Sequence, residues 1–311
     1  MTAKGSPLRA AVALAALVLL AACANNKKGS EKPAELADFQ SSVKVERVWG
    51  ASVGGNNPKL RLGLTLATDG KAVFAAGHDG DVVAFAVDTG KKLWQTRTKL
   101  RLTGGPGAGD GLVVAGADHG AIVALDAATG TQKWKIQINS EVLAAPAIGS
   151  GVVLVRLVDG RLVALRVADG SQIWSAEQQV PRLSLRGTAR PIIAGDLAVC
   201  GFDTGRVLAL SLTDGGTVWD VLVAPPTGKS EIERLIDVDS AVKAVDTDVY
   251  AVSFQGKAAR IDRETGQAQW SRDVSSYSGL ATDEDGLYVS GSNGTLVKIG
   301  RRTGVEMWKQ D

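Results

Sequence analysis

Six times in this chain a glycine is followed ten residues later by a second glycine and, four residues beyond that, by a tryptophan. The glycine pairs are Gly80/Gly90, Gly120/Gly130, Gly160/Gly170, Gly205/Gly215, Gly256/Gly266 and Gly294/Gly304, and the blocks close at Trp94, Trp134, Trp174, Trp219, Trp270 and Trp308. Segments between the glycines, such as VVAFAV and LVALRV, are dense in apolar and β-branched residues, as buried strands are. The first glycine always follows Asp, His, Thr, Gln or Asn, a hairpin pair in which glycine takes positive φ. The second closes a DTG-, ATG- or ADG-type turn that sends the chain into a strand carrying the Trp. With an apolar strand upstream (GLVVAGADHG) and a shorter one before it (AAPAIG), each unit reads as four antiparallel strands.

Including Trp49, the intervals between successive Trp residues are 45, 40, 40, 45, 51 and 38 residues. Four-stranded units repeating near 40 residues predict an all-β chain, a β-propeller whose blades stack face to face. The repeated Trp is then a plate that locks neighbouring blades and not a stacking platform for a ligand. With only 5 Phe and 3 Tyr besides, few aromatics remain for a ligand cage. Trp49 sits in VKVERVWG, which alternates like the last strand of a blade but has no glycine block before it. A first strand of that kind commonly completes a final blade, yet the chain already ends in a complete outer strand, GVEMWKQD. One reading is six complete blades of an eight-bladed ring, with further blades expected beyond Asp311. The alternative is a six-bladed ring with Trp49 on an extra edge strand.

The N-terminus follows a different logic. Lys4 and Arg9 precede an apolar run from Ala11 to Ala22, and Cys23 follows it directly. That run is short of the roughly 20 residues a spanning helix needs, so residues 1–22 are expected to be a cleaved signal peptide. Residues 24–38, ANNKKGSEKPAELAD, are polar and aperiodic, a tether ahead of a propeller spanning 39–311. Removal of the signal leaves 33 basic against 33 acidic side chains, and no Lys/Arg stripe stands out, so nucleic acid is set aside as a partner. Cys200, in IIAGDLAVCGFDTG, has no nearby His and reads as a small buried hydrophobe.

Leu20-Ala21-Ala22-Cys23 resembles a bacterial lipobox, which implies acylation at Cys23, and Ala24 in place of Asp implies sorting to the outer membrane, facing the periplasm. The G-x-V-x-A-L-D-x-x-T-G-x-x-x-W block resembles the repeat of pyrroloquinoline-quinone enzymes. A quinone-dependent dehydrogenase is therefore one alternative, although no adjacent cysteine pair or clustered acids accompany the repeat, and no cofactor is expected. Lipobox, tether and repeat together are similar to the BamB-type lipoproteins, which implies a non-catalytic scaffold of the machinery that inserts β-barrels into the outer membrane.

The likeness becomes specific in PRLSLRGTARP, 181–191, and EIERLIDVDS, 231–240, which occupy the two longest inter-blade intervals and should emerge on one face of adjacent blades. Leu183 and Leu185 share a side of an extended segment, with Arg186 beside them, and Asp237 and Asp239 repeat that spacing. By the resemblance, these five positions contact the periplasmic domains of the central barrel protein, BamA. The Asp pair would orient the partner or hold Arg186. Exposed blade edges offer a second task, strand addition to unfolded outer-membrane proteins.

Other motifs carry less. Asp237 and Asp239 lack a convergent base or further ligand. His78 and His119, beside turn glycines of successive units, read as surface turn residues and not a metal site, which needs three or four ligands. GGPGAGDG, 104–111, reads as a link between strands and not a phosphate cradle, which opens a helix.

Overall fold

The computed structural model describes residues 43–55, 62–181, 189–225, 237–238 and 240–310. Among these there is no helix, and the strands form six sheets. After β1 (Gly63–Leu64), blade 1 comprises β2 (Ala67–Thr68), β3 (Ala72–Ala76), β4 (Asp81–Ala86) and β5 (Lys92–Arg97). Blade 2 holds β6 (Leu102–Gly109), β7 (Leu112–Ala117), β8 (Ala121–Asp126) and β9 (Gln132–Gln137). Blade 3 holds β10 (Ala147–Gly149), β11 (Val152–Arg156), β12 (Arg161–Arg166) and β13 (Gln172–Glu177). Blade 4 holds β14 (Ile192–Ala194), β15 (Leu197–Phe202), β16 (Arg206–Ser211) and β17 (Thr217–Leu222). Blade 5 holds β18 (Lys243–Val245), β19 (Asp248–Val252), β20 (Lys257–Asp262) and β21 (Ala268–Asp273), and blade 6 holds β22 (Leu280–Thr282), β23 (Gly286–Ser290), β24 (Leu296–Gly300) and β25 (Glu306–Gln310). Within each blade the four strands pair antiparallel in chain order.

The second and third strands of a blade are covered on both faces by neighbouring blades, which is why their sequences are continuous apolar runs; β7 and β15 are buried at every residue. Fourth strands alternate: in β9 Trp134 is buried while Lys133 and Lys135 face water, charges that blunt the unpaired edge. A register shift recurs between the third and fourth strands, at Ala84/Phe85, Ala124/Leu125, Ala164/Leu165 and Ala209/Leu210. It is the one-residue irregularity that a β-bulge makes.

Each block Trp from Trp94 to Trp270 is used in the same way. Its indole Nε1 donates to a turn carbonyl of the following blade: Trp94 to Ala127 at 3.0 Å, Trp134 to Val167 at 2.8 Å, Trp174 to Leu212 at 2.9 Å, Trp219 to Arg263 at 2.7 Å and Trp270 to Arg301 at 3.0 Å. The ring lies on the second glycine of that blade. A Cβ at Gly130 would sit 2.6 Å from the Trp94 ring, and φ there is +73°, so space and backbone both select glycine. Trp49 docks identically, 2.7 Å from the Val87 carbonyl and against Gly90. Its segment, expected to be a strand, carries no strand assignment over 43–55; the indole contact alone reproduces the repeat.

Two further expectations change. The first glycine of each block takes positive φ except in blade 5, where Gln255 (φ +49°) adopts the left-handed conformation and Gly256 does not. GGPGAGDG links strands only through Asp110–Gly111, the turn from β6 to β7; residues 104–109 belong to β6 itself, the first of the four antiparallel strands of blade 2. Its glycines admit the neighbouring backbone. A Cβ at Gly107 would lie 2.0 Å from the Pro146 carbonyl oxygen, and one at Gly109 2.4 Å from that of Ile148. On its other side β6 pairs in parallel with β1, Gly63 opposite Gly104, so blade 2 has five strands.

Aspartates stitch the turns. Asp126 accepts the N–H groups of Ala128 (3.1 Å) and Thr129 (3.0 Å), and Asp262 those of Glu264 (3.1 Å) and Thr265 (2.8 Å). Hydrogen bonds from the Thr129 hydroxyl and the Thr265 N–H hold these carboxyls below their ordinary 3.8, and the Tyr288 hydroxyl with the Gly286 N–H brings Asp283 down to about 2. A folded-state value below the unfolded one means stabilisation that is complete above 3.8 and lost as pH falls through the lowered values. The melting temperature should therefore hold from neutral pH to about 5 and fall between about 4 and 2. A melt as high at pH 2 as at pH 5 would refute this role for the turn carboxylates.

Candidate functional site

The hairpins between second and third strands share one face with the connections from one blade to the next. The Gln178 N–H, leaving β13, donates to Gly160 O at 3.1 Å, and the Val223 N–H, leaving β17, to Gly205 O at 2.9 Å. On this face a connecting residue clasps two blades. The Val142 N–H reaches Ala117 O of blade 2 (3.5 Å) while Glu141 O accepts from Val158 of blade 3 (3.2 Å). Between blades 4 and 5 the same clasp is made by Val238 N–H to Phe202 O (3.3 Å) and by Phe254 N–H to Asp237 O (2.9 Å). Asp237 and Val238 thus stand where Glu141 and Val142 stand. Val142 fills the space over Gly116, and Val238 the space over Gly201.

The two longest connections, 178–191 and 223–242, meet at the end of β15. Ala189, which leads the first back into blade 4, offers its carbonyl to the Cys200 thiol at 3.7 Å; Val238, in the second, rests on Gly201 and Phe202. Cys200 is fully buried and unbridged, and burial pushes its thiol up to about 12, an inert packing residue as its sequence context predicts.

Beside it lies an ion pair that the sequence reading missed. Arg156, at the end of β11 and 1% exposed, places Nη2 3.4 Å from Asp203 Oδ1, and Asp203 is 7% exposed. The Arg156 guanidinium also stacks over the Phe202 ring at 4.4 Å and donates from Nη1 to Leu157 O at 2.5 Å. Burial raises the Asp203 carboxyl, with Arg156 opposing that shift. The signal was available: four residues before the first block glycine the repeat has Ala76, Gly116, Gly201, Val252 and Ser290, and Arg156 is the one charge in that column.

Of the expected contact residues, Asp237 lies 1% exposed beneath this face, while Leu183, Leu185, Arg186 and Asp239 lie outside the described residues, as does Cys23. His78 and His119 are not brought together as ligands. His78, expected on the surface, is 9% exposed with Nδ1 2.8 Å from Leu102 O, because the connection into blade 2 covers it; His119 is exposed, 3.9 Å from Asp118. Among the described residues no three His, Cys, Asp or Glu side chains gather as metal ligands.

Comparison with known proteins adds three findings. The family model described as outer membrane protein assembly factor BamB matches residues 46–310. The outer membrane protein assembly factor BamB of Pseudomonas aeruginosa is 49% identical over 271 residues, covering 87% of this chain and 71% of its own length. The crystal structure of BamB from Moraxella catarrhalis superposes with a TM-score of 0.75 at 31% identity, over 81% of this chain and 76% of that one. A quinohemoprotein alcohol dehydrogenase from Comamonas testosteroni shares the fold alone, at a TM-score of 0.56 and 18% identity over 68% of this chain and 43% of its own.

Proposed function

The chain belongs to the BamB family of outer membrane protein assembly factors, and on that footing we propose that it acts as a non-catalytic scaffold in the assembly of outer-membrane proteins, docking on the periplasmic domains of the central barrel protein BamA. Residues 1–22 direct export, Cys23 carries the lipid that holds the protein to the periplasmic face of the outer membrane, and the polar stretch to residue 38 gives the propeller its reach. The observation that carries the docking assignment is the convergence of the two longest connections on the end of β15. Loops held by a rigid scaffold are where binding residues concentrate.

Roles divide by burial. Leu183 and Leu185 are the apolar anchors and Arg186 the polar contact, a combination typical of interface hot spots. Asp237, covered and clasping blade 5, holds the second loop in place, and Asp239 orients the partner or holds Arg186. Arg186→Ala in the full-length protein should weaken binding to the BamA periplasmic domains by about tenfold or more, with far-UV circular dichroism and melting temperature unchanged. Undiminished binding by a folded Arg186→Ala variant would move the interface elsewhere.

A further inference from the structure

The innermost strands of blades 2 to 5 line an open cavity of about 370 Å³ on the axial side of the sheets, bordered by Ala108 of β6, Ile148 of β10, Ile193 of β14, Lys243 of β18 and, just ahead of β14, Arg190. Among the described residues its wall is otherwise alanine, valine, isoleucine and proline, with no acid. Arg190 is unusual among the sequestered arginines. Arg156 faces Asp203, Arg260 lies 2.8 Å from Asp248, and Arg301 lies 2.8 Å from Asp246, whereas no carboxylate among the described residues pairs with Arg190. Burial is the sole cause lowering its guanidinium from the ordinary value, with no neighbouring charge to offset it. A partly desolvated cation without a counter-charge is costly, and in a cavity an anionic ligand removes that cost.

We propose that this axial cavity is a binding site for a small organic anion, with Arg190 taking a carboxylate or similar oxyanion, Lys243 adding a second positive charge, and the Ala/Ile/Val walls receiving an apolar body. The volume lies within the roughly 300–1,000 Å³ of small-molecule pockets. A planar guanidinium fork also matches an oxyanion bidentately, which a lone ammonium cannot. Arg190 and Pro191 end the 178–191 connection and Ala241 and Val242 the 223–242 connection, so the cavity borders the loops assigned to docking, but the anion assignment does not depend on that one.

The test is a titration of the full-length protein with 4-(trifluoromethyl)benzoate, read by fluorine NMR, beside the neutral 4-(trifluoromethyl)benzyl alcohol and with inorganic phosphate as competitor. Saturable binding of the benzoate, at least about tenfold weaker for the alcohol and for Arg190→Met, is expected. Because Arg190→Met removes an uncompensated cation, that variant should melt at or above the wild-type temperature. Absence of saturable binding, equal binding by wild type and Arg190→Met, or displacement by phosphate at equal concentration would overturn the proposal. So would a lowered melting temperature for Arg190→Met, which would make Arg190 a structural residue.

Discussion

Trp174→Ala is expected to lower the unfolding free energy by about 3–5 kcal/mol, the range for truncating a large aromatic in a packed core. Trp174 is 6% exposed in a cluster that includes Leu154, Leu162, Cys200, Leu208 and Leu210, so truncation leaves a cavity between blades 3 and 4. The change also removes the 2.9 Å hydrogen bond from Nε1 to Leu212 O, leaving a turn carbonyl without that donor. The surroundings cannot collapse onto the gap, because the opposing residue is Gly215, whose φ of +76° shapes the turn. Leu93→Ala, on β5, is the internal comparison. At 52% exposure it has little packing to lose, and a change within about 1 kcal/mol is expected. Urea denaturation followed by far-UV circular dichroism, which tolerates the loss of an indole fluorophore, distinguishes the two. Equal effects would mean that the tryptophans do not act by locking each blade to the next.

Asp203→Ala should be comparably severe, about 3–5 kcal/mol, because it strands Arg156 at 1% exposure without its counter-charge. The aromatic face of Phe202 and the Leu157 carbonyl remain to the guanidinium, but neither neutralises it. Pairing Asp203→Leu with Arg156→Met should recover most of the loss, since replacing a buried ion pair by apolar groups is often neutral or better. Denaturation midpoints of the singles and the double complete the cycle. If the double variant proves as unstable as Asp203→Ala, the pair is not a charge-compensation unit and its effect lies in packing. Phe202 also accepts the Val238 N–H, so the single variant should loosen the Val238 clasp and weaken the proposed docking on BamA, whereas the double should restore both.

Much of the fold is legible in order. The six glycine blocks mark the hairpins, apolar runs mark the doubly covered strands, and the Trp register marks the blade repeat. All of these are local, written within about 15 residues by turn chemistry and strand periodicity. The candidate docking face is legible in part. The lengths of two connections point to it, and the burial of Cys200 follows from its apolar strand, but the burial of Asp237 does not follow from a charged loop sequence.

What the chain by itself determines is therefore the unit: four strands, their turns, the plate that closes them, and the family to which such a repeat belongs. What only the tertiary structure decides is how units meet. Trp49 docks without a strand, β6 gives up side chains so that backbones can approach, β1 joins blade 2 in parallel, and Arg156 finds Asp203 in the next blade. These are contacts between segments far apart in sequence, chosen by which surfaces the stacked blades bring within a few ångströms, and no local pattern encodes that choice.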